Sequence, residues 1–127
     1  MKRGLMLMSA LLIALPVRAE WVSFLSTDST EELYDPAFLK AEQGRVTLWT
    51  LTNYAKPMTS LEGQEFSSEK TLTTLDCQQK KSGAEKVIRY AGKNAQAAVV
   101  STMETPLRTI RVQAGSPDQI LLVRVCR

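Results

Sequence analysis

The chain has 127 residues, carries 16 basic against 13 acidic side chains, and contains no histidine. Histidine is the most frequent general base and a common metal ligand, so its absence excludes Ser-His-Asp, Cys-His and HExxH chemistry. The six glycines stand singly and form no phosphate-binding loop. Carboxylate pairs such as Glu31 with Glu32 or Asp35 with Asp76 remain conceivable, but acids in so charged a chain are mostly solvated surface. We therefore predict that the protein is not an enzyme and has no catalytic residue, metal or cofactor.

The N-terminus has the three-part build of a secretory signal peptide. Lys2 and Arg3 precede an apolar run over residues 5–15, and a small-residue pattern at 17–19 follows Pro16. The run is shorter than the roughly 18 residues that a membrane-spanning helix needs. An uncleaved anchor is the alternative, which Pro16 disfavours because it shortens the apolar segment.

We therefore predict a cleaved signal over residues 1–19 and one exported domain over residues 20–127, in the periplasm or on the cell surface. No cysteine stands near the cleavage point, so no lipid anchor is expected. Lys2, Arg3 and Arg18 account for the whole basic excess. The exported chain then has a net charge near zero, which argues against a nucleic-acid partner.

Cys77 and Cys126 are the only cysteines. An even count in an oxidising compartment predicts a disulfide between them. A pair of free thiols, redox-active or metal-binding, is the alternative. It lacks the C-x-x-C spacing of redox pairs and the three or four Cys or His ligands of a zinc site.

Short strands with polar turns dominate the exported chain, as in an antiparallel meander. The predicted strands cover residues 21–25, a short run ending at Tyr34, and then 45–54, 66–79, 85–90, 97–103 and 107–113. Phe38 and Leu39 are expected to tuck under the sheet after the turn at Asp35. Lys56-Pro57 is expected to end the long strand before a loop at 58–65. Further turns are expected at 80–84 and 92–94.

The last segment has the capping pattern of a helix. Ser116 is a suitable N-cap, Pro117 stands at the first helical position, and Gln119 follows three residues after the cap. A buried strand over 120–126 is the alternative, because these residues are apolar and partly β-branched. On the helical interpretation Leu122, Val123 and Cys126 share one stripe that packs on the sheet.

These residues resemble the surface-adhesin E family of Gram-negative bacteria. The similarity is carried by Trp21, Tyr34-Asp35-Pro36, Phe38-Leu39, Val46, Trp49, Ser68, Lys70, Asp76-Cys77, Gly115-Ser116 and Cys126. It implies an α+β fold with a single antiparallel sheet of about six strands and a C-terminal helix tethered to one face by the disulfide. It also implies adhesion to host matrix or serum glycoproteins such as vitronectin and laminin. Two positions depart from the family pattern: Leu107 replaces an expected tryptophan, and Ala97 or Ala98 replaces an expected glycine.

Two functions are consistent with this pattern. The first is a binding protein for host or other protein partners, which contacts them through a sheet edge or through a basic turn. The candidate ligand-binding residues of that turn are Lys80, Lys81, Lys86, Arg89 and Lys93. The second is a periplasmic accessory or structural protein of the envelope without a host ligand. A homodimer through a strand edge is open in both cases.

Overall fold

The computed structural model describes residues 20–126, so the predicted signal peptide lies outside the described residues. Within this range no helix is long and apolar enough to cross a membrane. The strands are β1 (Val22–Ser26), β2 (Thr30–Tyr34), β3 (Lys40–Glu42), β4 (Arg45–Thr59), β5 (Glu65–Asp76), β6 (Lys81–Tyr90), β7 (Val99–Glu104) and β8 (Ile110–Arg111). One helix, α1, covers Pro117–Val125.

All strands belong to one antiparallel sheet. Its main order is β1-β2-β4-β5-β6-β7, while the short strands β3 and β8 pair with β4 and β6. The predicted α+β fold class is therefore confirmed. The six strands of the main order agree with the expected number, and the two short strands bring the described sheet to eight.

The long strands β4 and β5 form the centre of the sheet because β-branched and aromatic side chains alternate along them. Val46 pairs with Leu75, and Thr50 pairs with Thr71. Successive side chains point to opposite faces, so these residues share one face, here called the helix face. Trp49 and Leu51 lie on the other, here called the open face because α1 packs on the opposite side. Leu51 is nevertheless fully buried on this face.

Helix α1 covers one end of the helix face. Leu121 packs with Val46, Leu48 and Leu75 in the core cluster. Ser116 accepts a hydrogen bond from the Gln119 backbone N–H at 3.2 Å, as its N-cap position predicts. The helical interpretation of the last segment is thus confirmed over the strand.

The predicted buried stripe of α1 was partly wrong. Leu122 is buried as expected, but Val123 is 70% exposed and Leu121 is fully buried in its place. The helix ends at Val125, with Cys126 as its C-cap. The bond from Cys126 then fixes the rotation of this short helix, because the chain must reach Cys77 at the end of β5.

The disulfide joins Cys77 to Cys126 with 5.5 Å between their Cα atoms and a sequence separation of 49 residues. The predicted pairing is therefore confirmed. Cys77 directly follows β5, and both cysteines pack against the core cluster. The bond ties the end of α1 to the sheet, where a helix of nine residues would be marginal alone.

The turn between β5 and β6 was predicted too late in the chain. It lies at 77–80, and Lys81 already belongs to β6. The Asp76 carboxylate accepts the backbone N–H groups of Gln78 and Gln79 at 3.1 and 2.8 Å. Asp76 therefore caps the turn from its first position, as aspartate often does in tight turns.

The predicted end of β4 was also wrong. The strand continues beyond Lys56-Pro57 to Thr59, and the turn is confined to residues 60–64. The pairing of β4 with β5 is irregular between Asn53 and Met58. Pro57 lies in this irregular stretch, where the backbone N–H that proline lacks is not needed for a regular ladder hydrogen bond.

Phe38 and Leu39 do not tuck under the sheet; Phe38 is 65% exposed. Phe38 is the last residue of a short 3-10 helix, Pro36–Phe38, and Leu39 is its C-cap. The N-cap Asp35 is buried and accepts the Ala37 N–H at 2.9 Å. The Asp35 N–H donates to the Trp49 carbonyl at 3.0 Å. The polar residue thus anchors the turn, and its apolar neighbours face outward.

The last predicted strands are shorter than expected. The strand predicted at 97–103 is β7, which begins at Val99, and of the strand predicted at 107–113 only β8 forms. The segment before β8 passes close to Gly83, where an added Cβ would lie 2.5 Å from the Arg108 carbonyl oxygen. A side chain at this position would displace the backbone of that segment.

Candidate functional site

The five predicted basic residues do not form one cluster. Lys80 lies in the turn before β6, Lys81 begins the strand, and Lys93 lies in the loop beyond its far end. A strand of ten residues is about 30 Å long. Lys80 and Lys93 therefore lie at opposite ends of the sheet.

Lys86 and Arg89 lie in β6 but on opposite faces. Lys86 pairs across the sheet with Glu104, and its Nζ lies 3.2 Å from the Glu104 carboxylate. Arg89 lies beside Glu69, with its Nε 3.2 Å from Glu69 Oε2, and stacks 4.4 Å from the Phe66 ring centroid. Both charges thus have carboxylate partners within the domain.

A further cation, Lys70, was not among the predicted ligand-binding residues. Its Nζ lies 4.4 Å from the Trp49 ring centroid on the open face. Burial lowers the pKa of Lys70, and the positive charge of Lys86 adds to this effect. The alternation of side chains along β4 and β5 could have indicated that Trp49 and Lys70 lie on the same face. It could not have given the pairing register of the two strands, which brings these two side chains into contact.

The loop at 91–98 folds against the buried polar side chains Asn53 and Ser68. The Asn94 N–H donates to Asn53 Oδ1 at 2.8 Å, and the Ala95 N–H donates to Ser68 Oγ at 3.1 Å. Lys93 and Asn94 line a cavity of about 360 Å³ with residues of the β1–β2 turn. These contacts fix Lys93 at this end of the sheet.

A groove of about 510 Å³ lies on the helix face beyond the N-terminus of α1. Hydroxyl groups and two carboxylates supply most of its polar lining; the residues include Thr50, Thr52, Thr71, Thr73, Glu32 and Asp118. Thr52 donates to Glu32 at 2.7 Å, and Ser82 donates to Asp118 at 2.6 Å. Such a lining can accept hydrogen bonds from N–H or O–H groups.

Burial raises the pKa of Glu32, and the hydrogen bond from Thr52 opposes this effect. The negative charges of Glu69 and Asp118 raise the pKa of Glu32 further. Among residues 20–126 no group of three or more acidic or cysteine side chains is arranged to hold a metal ion. The groove is thus a polar surface without the donor set of a metal centre.

The outer strand β7 presents one edge of the sheet. Its pairing with β6 is regular from Ser101 to Glu104, and it has no strand neighbour on its other side among the described residues. Val99 and Met103 are exposed on this strand. An edge of this kind can accept another strand through backbone hydrogen bonds.

A family model described as Surface-adhesin protein E matches residues 21–127. The chain belongs to this family. The sequence resemblance is therefore confirmed over residues 21–127.

The crystal structure of protein E from non-typeable Haemophilus influenzae is similar to the fold, with a TM-score of 0.66. The sequences are 12% identical, and the alignment covers 87% of this chain and 77% of that one. At this identity the similarity shows a shared fold. No curated protein matches the sequence significantly.

Proposed function

We propose that the chain is an exported, non-enzymatic adhesin that binds a protein partner outside the cytoplasm. The observation that carries this proposal is membership in the surface-adhesin protein E family over residues 21–127. The partner class is a host extracellular-matrix or serum glycoprotein, for which vitronectin and laminin serve as the first ligands to test.

The geometry supports binding over catalysis. The chain has no histidine, and the carboxylates of Glu32 and Asp118 each accept a hydrogen bond from a neighbouring hydroxyl. General acid–base catalysis needs a proton donor or acceptor within reach of a bound substrate. A sheet with an exposed outer strand is better suited to contact with a macromolecule.

The cellular test uses bacteria that express the chain and an isogenic deletion strain. Expressing cells should expose the protein to externally added protease and should adhere to immobilised vitronectin or laminin more strongly than the deletion strain. Complementation with the wild-type chain is the control. Protection from protease on intact cells, with no difference in adherence, would contradict the proposal and favour a periplasmic accessory protein.

A further inference from the structure

We infer that the protein partner adds an extended segment to the edge of β7 and continues the sheet. This inference rests on the proposed function and identifies its contact strand. The kind of partner is a segment without fixed secondary structure that becomes a strand on binding.

The hydrogen-bonding pattern shows which groups of β7 are available. The Thr105 N–H donates to the Glu85 carbonyl of β6 at 2.9 Å. Backbone groups alternate in direction along an antiparallel strand, so Ser101 and Met103 also bond toward β6. The N–H and C=O groups of Thr102 and Glu104 therefore point outward from the sheet.

The two edges of the sheet differ in how well they are protected. The pairing of β1 shifts between Ser23 and Leu25 in the middle of the strand, and α1 lies against it. In β7 the register shift relative to β6 lies at the start of the strand, between Val99 and Ser101. The four residues from Ser101 to Glu104 then pair regularly with β6. The strand contains no proline or lysine, the usual residues that block edge pairing.

The side chains of β7 add a second indication. Met103 is exposed, while Glu104 sits beside Lys86. An incoming segment with apolar or β-branched residues, and without an acid beside Glu104, fits this edge.

A second copy of the chain fits this edge less well. Two β7 strands of six residues would meet over only about 20 Å. Stable dimers typically bury more than about 1,200 Å² in total, which so short an edge contact does not supply by itself. A flexible partner segment can add contacts along the faces on either side of β7.

The test compares Thr102→Pro with Thr102→Val. Proline removes the outward N–H and places its ring where a new strand would pair, but it breaks no hydrogen bond to β6. Valine keeps the N–H and the β-branched shape. By surface plasmon resonance on vitronectin and laminin, we expect the proline variant to bind at least tenfold more weakly than the valine variant.

Hydrogen exchange on the wild-type protein provides a readout that needs no variant. The amides of Thr102 and Glu104 should exchange rapidly in the free protein and at least tenfold more slowly with saturating vitronectin or laminin. Equal binding of both variants, or unchanged exchange at Thr102, would overturn the inference while the proposed function stands.

Two other results would also overturn the inference. Absence of wild-type binding to either ligand would remove the proposed function and the inference with it. A sedimenting dimer that Thr102→Pro converts to a monomer would show that a second copy occupies the edge.

Discussion

Ala97 has a left-handed backbone conformation, with φ of 66°. This conformation costs a residue with a Cβ roughly 1 kcal/mol or more relative to glycine. The resemblance led us to expect a glycine at position 97 or 98, and the positive φ of residue 97 makes it the position that would favour glycine. The sequence alone could not separate the two alanines.

Replacement of Ala97 by glycine should therefore stabilise the protein by about 0.5–1 kcal/mol, despite the greater entropy of glycine in the unfolded chain. Ala98→Gly is the matched control and should be neutral or destabilising. Urea unfolding curves at neutral pH measure both changes. A loss of stability in Ala97→Gly would contradict the backbone strain that we infer at Ala97.

Glu32 is a second residue with a testable environment. Because its pKa is raised in the folded protein, the folded state binds more protons than the unfolded state above the ordinary value of 4.5. Its contribution to stability is thus present below that pH and is lost as the pH rises through the native pKa.

Glu32→Gln should therefore raise the urea midpoint at pH 7, and this gain over wild type should shrink toward pH 4. Glu62→Gln, in the exposed β4–β5 turn, is the control and should show little change at either pH. An unchanged or lower midpoint for Glu32→Gln at pH 7 would show that the ionised carboxylate is well accommodated.

Among the elements, those with strong local signals were predicted from the sequence. The β-branched run of β4 and the Ser116 cap of α1 each specify an element through nearby residues. The boundaries that were wrong have two causes. The turn after β5 begins earlier because Asp76 accepts the nearby Gln79 N–H. Strand β8 is short because it pairs only with the first residues of β6, which are distant in the sequence.

The disulfide is the most direct test at the scale of elements. Cys126→Ser should lower the free energy of unfolding by about 2–5 kcal/mol and release the end of α1. The double variant Cys77→Ser/Cys126→Ser should cost little more than either single variant, because one bond is lost in each case. Chemical denaturation with mass-spectrometric thiol counting measures this. Two reactive thiols in the native protein would contradict the bond.

At the scale of the whole molecule, the residues of the predicted basic turn lie at separate places on the sheet. Lys80 and Lys93 lie at opposite ends of the sheet, and Lys86 has an acidic partner. The spacing of these residues in the sequence could not reveal their separation. A compact turn would have brought Lys80 and Lys93 together, but the ten-residue strand β6 lies between them. The edge of β7 likewise depends on strand order, which residue patterns do not specify.

Charge reversal at Lys80, Lys81 and Lys93 should therefore change the Kd for vitronectin or laminin by less than about threefold at physiological salt, where exposed charges are screened. Lys86 is left unchanged so that Glu104 keeps its partner. Surface plasmon resonance at low and high salt measures the effect. A tenfold loss at low salt that disappears at high salt would assign the contact to the basic residues.

Direct binding of purified protein comprising residues 20–127 to immobilised vitronectin and laminin tests the central claim that this chain is a protein-binding adhesin. We expect saturable binding to at least one of them, weakened by Thr102→Pro but not by Thr102→Val. The binding should be retained after chelator treatment, because residues 20–126 contain no cluster of side chains arranged to hold a metal ion. No saturable binding of the wild-type protein to either ligand would contradict the account.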